Sequence, residues 1–159
     1  MEAFEAILGE FTRVAEAGDA EAFAALFTED GEYDDVFYGV FRGRVAIAEM
    51  MALHFHGNAR DFRWQMDDPV CQDGIGYAHY TFSYTSTMKH SAGQRAVFTG
   101  CAQFKLSRGR IRAYREWAFG LAGLSQLGAP ADLLARQAGR ESGKIRAAAD
   151  PAVHLHSGA

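Results

Sequence analysis

Phe62-Arg63-Trp64-Gln65-Met66-Asp67 alternates large apolar and polar side chains one by one. A period of two marks a strand with one face buried, because successive Cβ atoms point to opposite sides of a sheet. The same pattern continues downstream. Asp73-Gly74 supplies a turn into residues 75–88, where Tyr80, Phe82 and Tyr84 share one face. A polar loop around Gly93 follows, and Ala96, Phe98, Ala102, Phe104 and Leu106 then line one side of a strand reaching Ser107. Arg108-Gly109 is the tightest turn and leads into residues 110–119. Residues 62–119 therefore read as a meander of long antiparallel strands.

Upstream the period changes to that of helices. Phe4, Ile7, Leu8, Phe11, Val14 and Ala15 form one stripe, and Gly18 ends it. Asp19 caps a second helix carrying Phe23, Leu26 and Phe27, which is expected to stop before Asp30-Gly31. A short strand, Tyr33-Asp34-Asp35-Val36-Phe37, comes next, then a loop over residues 39–43. A third helix covers 44 to about 56, with Ile47, Met50, Met51, His54 and Phe55 inside. After Gly128-Ala129-Pro130, an amphipathic segment with Leu133, Leu134, Gln137 and Ala138 reads as a last helix. The expected class is α+β: three helices on the concave face of one curved, cone-shaped antiparallel sheet, in the order α-α-β-α-β-β-β-β. Residues 1–140 form one domain and 141–159 a loose, small and polar tail.

Composition narrows the function. The 159 residues are 48% apolar and 13% aromatic, enough for a core and a cavity wall. A net charge of −4 and the lack of a basic stripe argue against nucleic acid, and no apolar run approaches membrane length. Cys71 and Cys101 stand far apart in no metal-binding spacing, as suits a reduced cytoplasm. No phosphate-cradling glycine loop is present, so no nucleotide or flavin is expected; His54 and His56, two apart on a helix, point away from each other, so no metal is expected, nor any other cofactor.

Asp35 is the residue that most needs a reason. It shares a strand face with Tyr33 and Phe37, and a carboxylate among aromatics is costly to bury unless paired, protonated or used. It reads either as a catalytic base or as a solvated strand end. His54 lies on the buried stripe of the third helix, as a proton shuttle or as a core histidine. Glu116 is ambiguous: apolarity alone puts Ile111, Ala113, Trp117 and Phe119 inside the last strand and Tyr114 and Glu116 outside. Phe11, Tyr33, Trp64, Tyr80, Tyr84 and Tyr114 are the candidate substrate-binding aromatics, suited to a flat, apolar, oxygenated molecule.

Taken together, the short strand ending Tyr33-Asp34-Asp35, then Phe41-Arg42-Gly43-Arg44-Val45-Ala46-Ile47, and a meander closing with Gly109-Arg110-Ile111 and Arg115-Glu116-Trp117, resemble the nuclear transport factor 2 superfold. Within it, residues 121–128 (LAGLSQLG) resemble the SnoaL-like polyketide cyclases. In the related ketosteroid isomerases a general base would fall at Asp35. Their two oxyanion donors would fall at Phe11 and near Cys101 or Ala102, which cannot supply them. The limonene epoxide hydrolases imply a catalytic role for Glu116, and the scytalone dehydratases point to Glu16 with His54 or His56. The aspartate of the cyclases would fall at Phe119. The resemblance also places Tyr114 and Glu116 on the pocket side of the last strand. Both faces of that strand are then buried if a second copy covers the convex face over Trp117 and Phe119, which implies a homodimer. The function implied is cofactor-independent acid/base chemistry, a cyclisation, isomerisation or dehydration, by Asp35, His54 and Glu116. The alternative is a ligand-binding or dimerisation module without chemistry.

Overall fold

The computed structural model describes Glu2–Leu155. Helix α1 (Glu2–Ala17) buries Phe4, Leu8, Phe11, Val14 and Ala15, the stripe expected from the sequence. Gly18 leaves the helix at φ 74°, in the left-handed region that glycine enters without strain. A side chain there would also press on the His56 ring, 3.0 Å from an added Cβ. Asp19 then caps α2 (Ala20–Ala25), its carboxylate accepting the Ala22 N–H at 3.0 Å.

Strand β1 (Phe27–Asp35) begins earlier than its sequence suggests. Phe27, expected on the second helix, instead lies opposite Ile111 in a parallel pairing with β6 (Arg110–Ala118). The Ile111 N–H donates to the Leu26 carbonyl at 2.9 Å, so the last strand claims this backbone before α2 can extend. A second correction concerns residues 39–43. Gly39–Arg42 is not a loop but an edge strand, β2, paired antiparallel with β1 through Asp35↔Gly39 to Glu32↔Arg42. Helix α3 (Arg44–Met50) continues into a π-helical turn (Met51–Phe55) and one α-helical turn, α4 (His56–Asn58).

Strands β3 (Ala59–Gln72), β4 (Ile75–Ser86), β5 (Arg95–Ser107) and β6 form the expected meander. The curved sheet runs β2-β1-β6-β5-β4-β3, with β1–β6 its parallel pair. Helix α1 packs on it, and Phe11 centres the core. Its ring lies 4.8 Å from Phe23, 5.0 Å from Trp64, 5.3 Å from Tyr114 and 5.4 Å from Phe104. An irregular register in β6, where Leu106↔Ile111 gives way to Lys105↔Ala113, resolves the ambiguity of that strand. One extra residue switches the alternation, so Ile111 and Tyr114 are both buried while Trp117 and Phe119 stay exposed.

Helix α5 (Gly120–Gln126) follows β6, then α6 (Ala131–Ala148) and the short α7 (Pro151–His154). The last amphipathic helix therefore runs past Glu141 to Ala148, where Arg140 and Glu141 bond Gln137 along it and Lys144 reaches Asp34 on β1. Residues 156–159 of the expected tail lie outside the described residues. Among the described residues no helix is long and apolar enough to cross a membrane.

Tyr33 is fully buried, stacked on Tyr114 at 4.5 Å, and its hydroxyl has no hydrogen-bond partner among the described residues. An unsatisfied buried hydroxyl costs roughly 1–3 kcal/mol. Tyr33→Phe should therefore raise stability by about 1 kcal/mol, read as a higher midpoint in urea; a lower midpoint would show that the hydroxyl is bonded.

Candidate active site

The end of β1 determines the site. Asp35 is 2% exposed, and its Oδ1 accepts the backbone N–H groups of Phe37 (2.7 Å) and Tyr38 (2.8 Å). This is an aspartate closing its own turn. From β6, Glu116 reaches the same turn: its Oε1 accepts the Val36 N–H at 3.3 Å. Three successive amides are thus shared between two carboxylates. The other Glu116 oxygen accepts the hydroxyls of Tyr80 at 2.8 Å and Tyr114 at 2.9 Å. Asp35 Oδ2 has no hydrogen-bond partner among the described residues.

Both carboxyls are held away from their ordinary acidity. Burial pushes Asp35 up to about 6, against the pull of its two backbone N–H donors. Burial and then the charge of Asp35 push Glu116 up to about 7, against its tyrosine and Val36 donors. Tyr80 and Tyr114 are raised by burial first and by Glu116 second, so both remain protonated donors. Because the charge of Asp35 raises Glu116, the pair resists ionising together.

The two carboxylates open onto a cavity of about 60 Å³, room for about four waters. Its wall brings together most of the residues singled out in the sequence: Asp35, His54, Trp64, Tyr80, Tyr84 and Glu116. Three others lie deeper. Phe11, Tyr33 and Tyr114 are 0–1% exposed and form the stacked core beneath the cavity, because α1 presses Phe11 onto the sheet there. Tyr114 still acts on the site through its bond to Glu116.

His54 sits in the π-helical turn, so it and its neighbour Phe55 both reach the wall. Its ring stacks on Tyr38 at 4.8 Å and forms no side-chain hydrogen bond to either carboxylate. His56 is a structural residue: its Nε2 bonds the Ala15 carbonyl at 2.8 Å, tying the α4 turn to the end of α1. Glu16 lies outside the cavity, accepting the Trp64 N–H at 2.6 Å and facing Arg63 at 3.6 Å. Among the described residues no group of three His, Cys, Asp or Glu side chains is placed to hold a metal ion.

Two parts of the site were missed in the sequence, the turn after Asp35 and a residue of α6. Tyr38 and Phe37 join the wall because the turn after Asp35 carries them there, Tyr38 remaining 44% exposed. The other is Gln137 on α6, 1% exposed, whose Nε2 donates to the Val36 carbonyl at 3.2 Å and to Glu141 Oε1 at 2.9 Å. Its signal was a polar residue on the apolar stripe of that segment. Lys144, 3.4 Å from Asp34, adds a second tie between α6 and β1. Gln137→Met keeps the packing but removes the bond to Val36, and should lower stability by about 1 kcal/mol. Hydrogen exchange at the Phe37 and Tyr38 amides should rise more than elsewhere; uniform change would separate α6 from the turn.

Known structures share this architecture. A Catenulispora acidiphila protein with a ketosteroid isomerase-like fold, solved in complex with trimethylamine, superposes with a TM-score of 0.72 at 16% identity, over 79% of this chain and 95% of that one. A candidate polyketide cyclase from Xanthomonas campestris gives 0.65 at 21% identity, over 79% and 97%. An epoxide hydrolase from Mycobacterium tuberculosis gives 0.63 at 17%, over 76% and 86%. Such identities speak for the fold alone. No curated protein matches the chain. The SnoaL-like domain model, however, matches residues 8–114, more than half of the sequence. By that match and by its fold, the chain belongs to the SnoaL-like domain family.

Proposed function

We propose that the protein is a cofactor-independent acid/base enzyme acting on a small oxygenated molecule by cyclisation, isomerisation or dehydration. One observation carries this reading: two buried carboxyls, both pushed above their ordinary acidity range by burial, line the same aromatic cavity. Asp35, whose Oδ2 has no partner among the described residues, is the base and takes a proton from carbon next to a carbonyl. Glu116, with Tyr80 and Tyr114 donating to it, is the acid that returns a proton to oxygen or to the leaving group. His54 lines the substrate's path and Trp64, Tyr80 and Tyr84 hold its apolar body.

The test is proton exchange. A panel of small ketones and 1,3-dicarbonyls in deuterated buffer is followed by proton NMR. Wild type should accelerate loss of the α-proton signal of at least one member, and Asp35→Asn and Glu116→Gln should each slow this by roughly a hundredfold. Exchange that survives both substitutions would remove the carboxylates from the mechanism. A binding module without chemistry is favoured by one feature, the absence of oxyanion donors at Phe11 and Ala102. It would show binding to panel members without exchange.

The same reading takes the protein as a homodimer through the convex face of the sheet. Val97 and Trp117, on the neighbouring strands β5 and β6, are 45% and 52% exposed, and Phe119, just past the end of β6, is 70% exposed. A second copy is the occupant that would cover them, and light scattering at micromolar concentration should give twice the chain mass; Trp117→Lys should halve it. A wild-type monomer would overturn this. Residues 1–140 as one domain and a reduced, cytoplasmic setting for the two free thiols belong to the same proposal.

A further inference from the structure

We infer that the cavity selects a small organic cation, a protonated or quaternary amine of about five non-hydrogen atoms. This deepens the proposal above and rests on its reading of the cavity as a ligand site.

The charge balance of the wall is one-sided. Asp35 and Glu116 enter it from β1 and β6, while among the described residues no lysine or arginine lines it. Asp35 is 2% exposed and lines the cavity, and its Oδ2 has no hydrogen-bond partner among the described residues. The rest of the wall is chiefly aromatic: Tyr38, Phe62, Trp64, Tyr80, Phe82 and Tyr84 among others. Aromatic rings attract a cation through their electron-rich faces and do little for an anion. An anion would meet two carboxyls, whereas a positive charge on the ligand would compensate the buried one. A methylated ammonium suits both features, since its charge is spread over methyl groups that pack against rings. The volume, room for about four waters, fits a group of that size.

The other titratable groups around the pair set the pH dependence. Tyr38, Tyr80, Tyr84 and Tyr114 are neutral donors in the working range, and Cys101 lies near Tyr80 from β5. His54 is the imidazole on the wall, and Lys144 engages Asp34 outside it. Raising the pH from 5 to 8 removes protons from Asp35 and Glu116 and so strengthens cation binding.

Tetramethylammonium chloride and its neutral counterpart tert-butanol are titrated against the full chain, with amide and side-chain NMR shifts of the cavity residues as readout and sodium chloride held at matched ionic strength. At pH 8 tetramethylammonium should bind about tenfold or more tightly than tert-butanol. That preference should shrink severalfold at pH 5 and in Asp35→Asn, while tert-butanol stays unchanged. Equal affinity for the two probes would overturn the cation inference and leave the cavity standing as a ligand site. Shifts from neither probe would overturn both, because the cavity would then admit no ligand of this size.

Discussion

Raising the pH from 4.5 to 8 should destabilise this protein by roughly 3 kcal/mol, and Glu116→Gln should abolish much of that loss. A carboxyl that holds its proton more tightly when folded stabilises the fold below its unfolded pKa. That contribution disappears as pH climbs through the folded pKa. Asp35 moves from 3.8 to about 6 and Glu116 from 4.5 to about 7, so the loss falls between about pH 4 and 7. Each shift taken alone corresponds to about 3 kcal/mol. The total is less than the sum, because part of the Glu116 shift is repulsion by Asp35. Glutamine fits the position: its carbonyl keeps the Val36 N–H, and its amide donates to Tyr80 and Tyr114, whose hydroxyls turn to accept. Glu116→Gln should therefore be more stable than wild type at pH 8 by about 2 kcal/mol and no more stable at pH 4.5. Urea denaturation at the two pH values measures this. A pH-independent difference would mean that Glu116 is not a buried ionisable group. Better folding with lost chemistry is the expected signature of a site that stores an unfavourable charge for use.

Gly123→Ala should cost roughly 3 kcal/mol and deform the cavity from behind. Gly123 is buried on α5, where an added Cβ would sit 1.9 Å from the Phe98 ring. That ring cannot step aside easily. It is 4% exposed, stacked on Tyr84 at 5.7 Å and edge-on to Phe37 at 5.6 Å, and all three line the cavity. The clash must lift α5 from β5 or push Phe98 into the binding space. Gly128→Ala is the contrast: its added Cβ meets nothing within 4 Å, and its cost comes from the φ of 64° alone. The variant at Gly123 should lower the urea midpoint more than the one at Gly128 and shift Phe98 and Tyr84 resonances. A smaller effect at Gly123 would contradict the close packing of α5.

Most of the architecture was legible because period-two and period-3.6 patterns dominate this chain. Trp64, Tyr80 and Tyr84 alternate as their strands do, and the stripe from Phe4 to Ala15 is the buried face of α1. Errors gathered where long-range pairing overrides local preference. Phe27 looked helical because it continues the spacing of Phe23, but hydrogen bonding to β6 made it a strand. Residues 39–42 lacked a strand pattern since β2 is an edge with Val40 exposed. The last strand misled for a different reason. A bulge breaks the alternation between Ile111 and Tyr114, and no local signal in Arg110-Ile111-Arg112-Ala113 announces it. Asp35 and Glu116 were found as separate oddities, one among aromatics and one through a family likeness. Their meeting at the Val36–Tyr38 amides depends on β1 lying beside β6, which only the fold reveals. Gln137 could not be tied to the site for the same reason, a hundred residues separating it from Val36.

The most direct measurement is a carbon-13 NMR titration of the Asp35 and Glu116 carboxyls between pH 3 and 9, in wild type and in Asp35→Asn. The expected result is two elevated apparent values, near 6 and 7, with the Glu116 value falling when Asp35 loses its charge. Two carboxyls titrating near 4, each indifferent to the other, would contradict the account: the pair would be solvated, and the cavity would have no acid and base to work with.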